Sequence, residues 1–201
     1  MNGVHWFCLG AAFLTNVFAA NDWPQWRGPK RDGISPEKGL LQDWPAGGPK
    51  LAWKTTGLGN GYPSVVTSGD KIFTMGDQGE DSELIALNRA DGKRLWGTKV
   101  GKGGSTGWGG FQGPRSTPST DGELVIGVGM LGELVCVEAQ SGKEKWRKEY
   151  TSGFGGMKPE WGYSESPLID GDKVIVTPGG GQGAIVALNK KTGAVMWQST
   201  E

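Results

Sequence analysis

The sequence predicts an all-β chain, a β-propeller of four-stranded antiparallel blades that is incomplete, with about three blades plus an N-terminal sealing strand. Three observations predict it. Residues rich in turn chemistry are abundant, with 37 Gly and 11 Pro among 201 residues, yet they punctuate regular apolar strands instead of forming a low-complexity tract. A segment of about fifty residues repeats three times. Each repeat ends on a tryptophan, at positions 96, 146 and 197, and a turn glycine precedes it by four positions each time.

The repeats align element by element. The first runs from Ser64 through Ser68-Gly69-Asp70, Leu84-Ile85-Ala86-Leu87-Asn88 and Asp91-Gly92 to Trp96. The second runs from Thr117 through Thr120-Asp121-Gly122, Leu134-Val135-Cys136-Val137-Glu138 and Ser141-Gly142 to Trp146. The third runs from Ser166 through Ile169-Asp170-Gly171, Ile185-Val186-Ala187-Leu188-Asn189 and Thr192-Gly193 to Trp197. Glycine after the first strand of each repeat makes a hairpin turn, because it tolerates positive φ where a side chain clashes. The continuously apolar middle strand is what a sheet covered on both faces requires. The second glycine turn feeds the last strand, which carries the tryptophan. Four antiparallel strands in some fifty residues describe a blade. There is no Trp-Asp dipeptide and no kelch glycine pair in register, and a parallel β-helix would need far shorter coils.

The chain divides into a signal peptide at 1–19, an irregular arm at 20–49, and a partial propeller at 50–201, with blades near 62–100, 114–151 and 163–201. Val4 to Ala20 is almost wholly apolar and ends Val17-Phe18-Ala19-Ala20, which predicts export with cleavage after Ala19. Retention of that stretch as a membrane anchor is the alternative, although it is short for a span. The expected location is the periplasm, the cell envelope or the exterior, with no membrane span once the signal is removed. In the arm, Trp23, Trp26 and Trp44 need a surface to cover. Lys50-Leu51-Ala52-Trp53-Lys54 reads as the last strand of a blade, one that would seal a ring by removing a free sheet edge. The chain stops four residues after Trp197, so the ring is expected to be unfinished, as a truncated product or a partial sequence.

The repeated tryptophans read as blade-docking elements. An indole supplies much buried area, and its N–H can reach a backbone carbonyl across a blade junction. Trp53, Trp96, Trp146 and Trp197 are assigned this role. Removing the signal leaves a single cysteine, Cys136, flanked by Val135 and Val137, which reads as a small buried hydrophobe.

Several function classes are disfavoured. Lys plus Arg and Asp plus Glu number 21 each, so nothing indicates a nucleic-acid partner. The sole histidine, His5, lies in the signal, which removes histidine-based acid–base chemistry and histidine metal clusters from the mature chain. Gly179-Gly180-Gly181-Gln182-Gly183 is no nucleotide loop, since no helix and no Lys-Ser/Thr is expected after it. No catalytic residue and no metal ligand can be assigned.

The signature Ala86-Leu87-Asn88-x-x-Asp91-Gly92-Lys93-x-x-Trp96 and its two counterparts resembles the repeat of the pyrroloquinoline-quinone (PQQ) β-propeller superfamily. Trp23-Pro24-Gln25-Trp26-Arg27-Gly28-Pro29, with Gly113-Pro114-Arg115 and Trp161-Gly162-Tyr163-Ser164-Glu165-Ser166-Pro167, resembles its exported PQQ-binding-like repeat proteins. The superfamily holds quinoprotein dehydrogenases, an outer-membrane-protein assembly lipoprotein that acts as a scaffold, and proteins of no known activity, so fold alone does not select among them. The dehydrogenases would use an Asp base, calcium and commonly a Cys-Cys pair. This chain has no such pair and no Asp in a matching motif.

The loops leading into blades two and three carry the candidate binding residues. They are Trp108 and Arg115 in one loop and Trp161, Tyr163 and Glu165 in the other. Arg115 could clamp a carboxylate, Glu165 could hold a cation, and Trp108 or Trp161 could stack on a planar ligand. Alternatively, Arg115 and Glu165 pair with each other or with loop backbone, and the tryptophans roof the channel. The expected function is a non-catalytic binding or scaffold module that presents its channel mouth to a protein partner or small ligand. The alternative is a PQQ- and calcium-dependent dehydrogenase whose essential residues lie in missing blades.

Overall fold

The computed structural model describes residues 22–105 and 111–199. Three four-stranded antiparallel sheets follow one another along the chain. The first contains β1 (Val66–Ser68), β2 (Lys71–Gln78), β3 (Asp81–Asn88) and β4 (Arg94–Lys102). The second contains β5 (Ser119–Thr120), β6 (Leu124–Val128), β7 (Glu133–Glu138) and β8 (Glu144–Glu149), and it is followed by the short helix α1 (Tyr150–Phe154). The third contains β9 (Leu168–Asp170), β10 (Lys173–Val176), β11 (Val186–Asn189) and β12 (Val195–Gln198). Each sheet is an open meander in chain order, the arrangement of a propeller blade. The chain is therefore an incomplete propeller.

Helix α1 is not expected from the sequence. Tyr150-Thr151-Ser152-Gly153-Phe154 has weak helix propensity, and burial of Tyr150 and Phe154 against the third sheet holds its single turn. Gly155, at φ 64°, ends it.

Alternation along the strands divides the core between two junctions. Val125, Val135 and Val137 face the first sheet, where they meet Val66, Phe73, Leu84, Ala86 and Val100. Leu124, Ile126, Leu134 and Cys136 face the third sheet, where they meet Val174, Val176, Val186 and Leu188. The middle sheet is covered on both faces, which is why its central strands β6 and β7 are almost continuously apolar. Each such side chain contributes about 1.5–3 kcal/mol when fully buried.

The strand that carries the tryptophan joins its sheet through the same irregularity each time. Trp96 stands opposite Ala86, Trp146 opposite Cys136 and Trp197 opposite Ala187, and the register shifts immediately after each partner. A bulge there twists the outer strand and carries the indole toward the next sheet. Trp53 Nε1 donates to the Arg89 carbonyl at 3.1 Å, Trp96 Nε1 to Ala139 at 3.2 Å, and Trp146 Nε1 to Lys190 at 2.8 Å. Each acceptor lies in the turn that ends in Gly92, Gly142 or Gly193 of the following sheet.

The N-terminal arm differs in detail from the sequence expectation. Trp23 makes a two-way backbone bridge with Thr67 on β1, and Thr120 donates its N–H to the Pro24 carbonyl. Asp22 accepts from Gly69 N–H at 3.0 Å and pairs with Arg89 at 3.4 Å. Residues 22–24 thus lie along the inner strands of two blades. Trp26 and, beyond Gly28, Trp44 are turned to solvent, at 54% and 68% exposed. Residues 50–54 form no strand, because no described sheet edge runs beside them, yet Trp53 still reaches Gly92.

Candidate functional site

The loops that connect one blade to the next gather at one end of the inner strands. Their positions are set by a repeated hydroxyl relay. Ser64 N–H donates to Thr117 Oγ1 at 3.0 Å, and Thr117 N–H donates to Ser166 Oγ at 3.1 Å. These residues occupy the same place in consecutive repeats, so each inner strand is pinned to the next at its first residues. Ser119 Oγ adds a bond to the Pro167 carbonyl. The sequence alone does not assign the relay, although Ser or Thr recurs at that position in all three repeats.

Above the relay, the segments 59–62 and 111–115 interlock. Tyr62 N–H donates to the Pro114 carbonyl at 2.8 Å, and the rings of Tyr62 and Phe111 meet edge to face at 5.9 Å. A Cβ on Gly59 would collide with the Asp77 carbonyl and one on Gly113 with the Asn60 carbonyl, so glycine is what permits this closeness of backbone. Gly59, Asn60, Gly61, Tyr62 and Gln112 line a cleft of about 310 Å³. Asp77, buried at the end of β2, accepts from Gly104 N–H at 2.7 Å and holds the start of the second leading loop.

Arg115 is half-buried beside this cleft. Its guanidinium donates to the Phe111 carbonyl at 3.3 Å and lies 3.3 Å from Met130 Sδ. Glu165 sits in the next leading loop and accepts from the backbone N–H and hydroxyl of Thr177. The sequence leaves open whether these two residues pair with each other or bond to the loops around them. The geometry gives bonding to the scaffold near each residue, and among the described ion pairs none joins Arg115 to Glu165.

Tyr163 is buried at 3% exposure, donates its hydroxyl to the Pro178 carbonyl at 3.2 Å, and meets Tyr150 edge to face at 4.9 Å. Burial, aided by the nearby Glu165 charge, pushes the phenols of Tyr163 and Tyr150 above their ordinary range. Tyr163 therefore supports the loop and shows only its rim to a second cleft of about 290 Å³, shared with Met157, Glu165 and Thr177. Trp161 is 52% exposed at the surface of this loop. Trp108 lies outside the described residues, as does the signal segment. Cys136 is fully buried with its thiol pushed up to about 12, chiefly by burial, and takes no part in the mouth.

With the three blades and their leading loops in place, comparison with known proteins becomes informative. The family described as outer membrane protein assembly factor BamB matches residues 80–201, more than half of the chain. The chain belongs to this PQQ-like β-propeller family. A curated BamB from Xanthomonas campestris pv. campestris is 28% identical over 138 residues, covering 68% of this chain and 30% of that protein. The serine/threonine-protein kinase AfsK of Streptomyces griseus is 26% identical over 164 residues, covering 80% of this chain and 19% of that protein. The chain thus spans less than a third of the length of these curated relatives. Among solved structures, the quinohemoprotein alcohol dehydrogenase ADHIIG from Pseudomonas putida HK5 shares the fold, with a TM-score of 0.60 at 16% identity, over 89% of this chain and 26% of that one.

The quinone that such dehydrogenases use is a planar tricarboxylate, so the described mouth can be tested for fit. Neither cleft is lined by Lys or Arg among the described residues, and the Arg115 guanidinium is turned onto a carbonyl and a thioether. Glu165 is engaged by Thr177. Among the described residues, the two clefts therefore present no basic side chain to a carboxylated quinone. No helix among the described residues is long and apolar enough to cross a membrane.

Proposed function

We propose that this chain is part of an exported PQQ-like propeller that binds a protein partner through its blade-leading loops and acts as a scaffold without catalysis. The observation that carries this reading is the division of labour at the mouth. Arg115 and Glu165 are engaged by bonds to Phe111 and Thr177, while Tyr62, Phe111, Met157 and Trp161 stay more than half exposed. Exposed aromatic and thioether side chains on a rigid base suit a protein interface. The likeness to an outer membrane protein assembly factor supports the same reading and supports an envelope location. The apolar start of the sequence supports export.

A photo-crosslinking amino acid placed at Phe111 or Met157 of the intact protein in its host tests this. Defined crosslinked partners are expected at these two positions and not at Lys93, in a turn at the opposite end of the strands. Dye reduction by alcohols or sugars after loading with PQQ and calcium, without crosslinks, would favour the dehydrogenase reading and overturn this one.

A further inference from the structure

Outside the mouth, β4 and β8 of the first two blades line an open groove of about 570 Å³. Its polar lining is unevenly matched. Glu133 and Glu149 are direct cross-strand partners on β7 and β8, so their side chains share the face turned toward the first sheet. Like charges set directly opposite oppose each other, and this pair is also partly removed from water. Glu133 is 9% exposed and lines the groove; its Oε1 accepts from Lys102 N–H at 3.3 Å, while its Oε2 has no hydrogen-bond partner. Gly101 and Gly129 make room for this carboxylate, since a Cβ on either would collide with it.

The cations around the groove are already taken. Lys99 pairs with Asp81 at 2.8 Å, and Lys102 reaches Glu80 and Asp81 at 3.6 and 3.7 Å. Arg147 pairs with Glu144 at 2.8 Å and donates to the carbonyls of Lys99 and Val100. Among the described residues neither Glu133 nor Glu149 has an ion-pair partner. Burial, with the Glu133 charge next, raises the Glu149 carboxyl above its ordinary range. A buried polar group without a protein partner is satisfied by a water, an ion or a ligand.

We propose that this groove between the first two blades is a binding site for an organic cation, a guanidinium or alkylammonium group held by Glu133 and Glu149. The volume admits such a head together with its alkyl stem and far exceeds the space a bare metal ion needs. The head would complete the charge-assisted bonds that the carboxylates lack. The same head could arrive on a free small molecule or on a basic side chain of a polypeptide.

Calorimetric titration of the protein distinguishes these sources with three probes: agmatine, a capped Gly-Arg-Gly peptide, and calcium chloride. Saturable binding of agmatine or of the peptide is expected, weakened about tenfold by Glu149→Gln. Tighter binding of agmatine identifies a free small cation, and tighter binding of the peptide identifies a basic side chain. Glu133→Gln should weaken binding similarly; should it fail to fold, the rim position of Glu149 keeps the test intact, with circular dichroism confirming a native fold. Failure of both cationic probes to bind, binding that Glu149→Gln leaves unchanged, or displacement of agmatine by equimolar calcium would overturn the proposal.

Discussion

The indole of Trp96 lies against Gly142 of the following sheet, 2.6 Å from where a Cβ on that glycine would stand. The same relation joins Trp53 to Gly92 at 2.5 Å and Trp146 to Gly193 at 2.8 Å. The two most recognisable residues of the repeat therefore meet between blades, not within one. The glycine that precedes each tryptophan by four positions receives the tryptophan of the blade before.

Substituting Gly142 should test that contact directly. Its φ is +71°, and a methyl there meets the Trp96 ring, so Gly142→Ala adds a clash to backbone strain. A loss of about 2–4 kcal/mol is expected by denaturant unfolding. Gly171 has a similar φ of +60° with nothing within 4 Å of its Cβ position, and Gly171→Ala should cost only about 1 kcal/mol. Equal losses would mean that strain alone, without the indole, explains the glycine.

The docking tryptophans should be unequal in this chain. Trp146→Phe removes the bond to the Lys190 carbonyl and part of a packed, 8%-exposed ring. Thermal unfolding should register a loss of about 1–3 kcal/mol. Trp197 is 44% exposed on β12, and Trp197→Phe should stay within about 0.5 kcal/mol.

A buried ion pair locks the second junction beside the Trp146 contact. Lys190 Nζ lies 2.7 Å from Asp121 Oδ2, with side-chain exposures of 12% and 6%. Lys190→Met strands the Asp121 charge and should destabilise the chain by about 3–5 kcal/mol. Adding Asp121→Asn keeps the Oδ1 acceptor that caps the Glu123 and Leu124 amides and should recover much of that loss. A double variant no better than the single would show that the pair contributes through something other than its charges.

The Cys136 thiol sets a pH dependence at the alkaline end. Its folded value, about 12, stands above the ordinary 9.0, so folding favours the protonated form. Its contribution is complete below about pH 9 and is lost as pH rises toward about 12. Cys136→Ala should therefore narrow its stability deficit relative to the parent between about pH 8 and pH 11, measured by urea unfolding. A deficit independent of pH would indicate that the thiol is no more shielded in the fold than in the unfolded chain. Alkylating reagents should reach it only through unfolding.

Much of the architecture is legible along the chain. Glycine turns, continuously apolar middle strands and the tryptophan spacing identify three four-stranded sheets, because turn chemistry and strand periodicity are local properties that a repeat displays several times over. The mouth is legible by place and less so by role. Arg115 and Glu165 do stand in the leading loops, but their bonds to Phe111 and Thr177 depend on rotamers and loop closure that no spacing encodes. Tyr163 reads as a candidate ligand contact because it lies in the long loop before blade three, and the structure packs its ring against Tyr150.

By itself, then, the sequence determined the four-stranded antiparallel blades, since these follow from short-range sterics and the alternation of side chains. Tertiary structure decided which glycine each indole covers, that Ser64, Thr117 and Ser166 form a relay, and that Glu133 meets Glu149 over an otherwise neutralised groove. Those relations join residues that lie far apart in the chain or face the space between two sheets. They exist only once one sheet is packed on the next, where burial removes water and makes an unmatched charge or a single missing Cβ count.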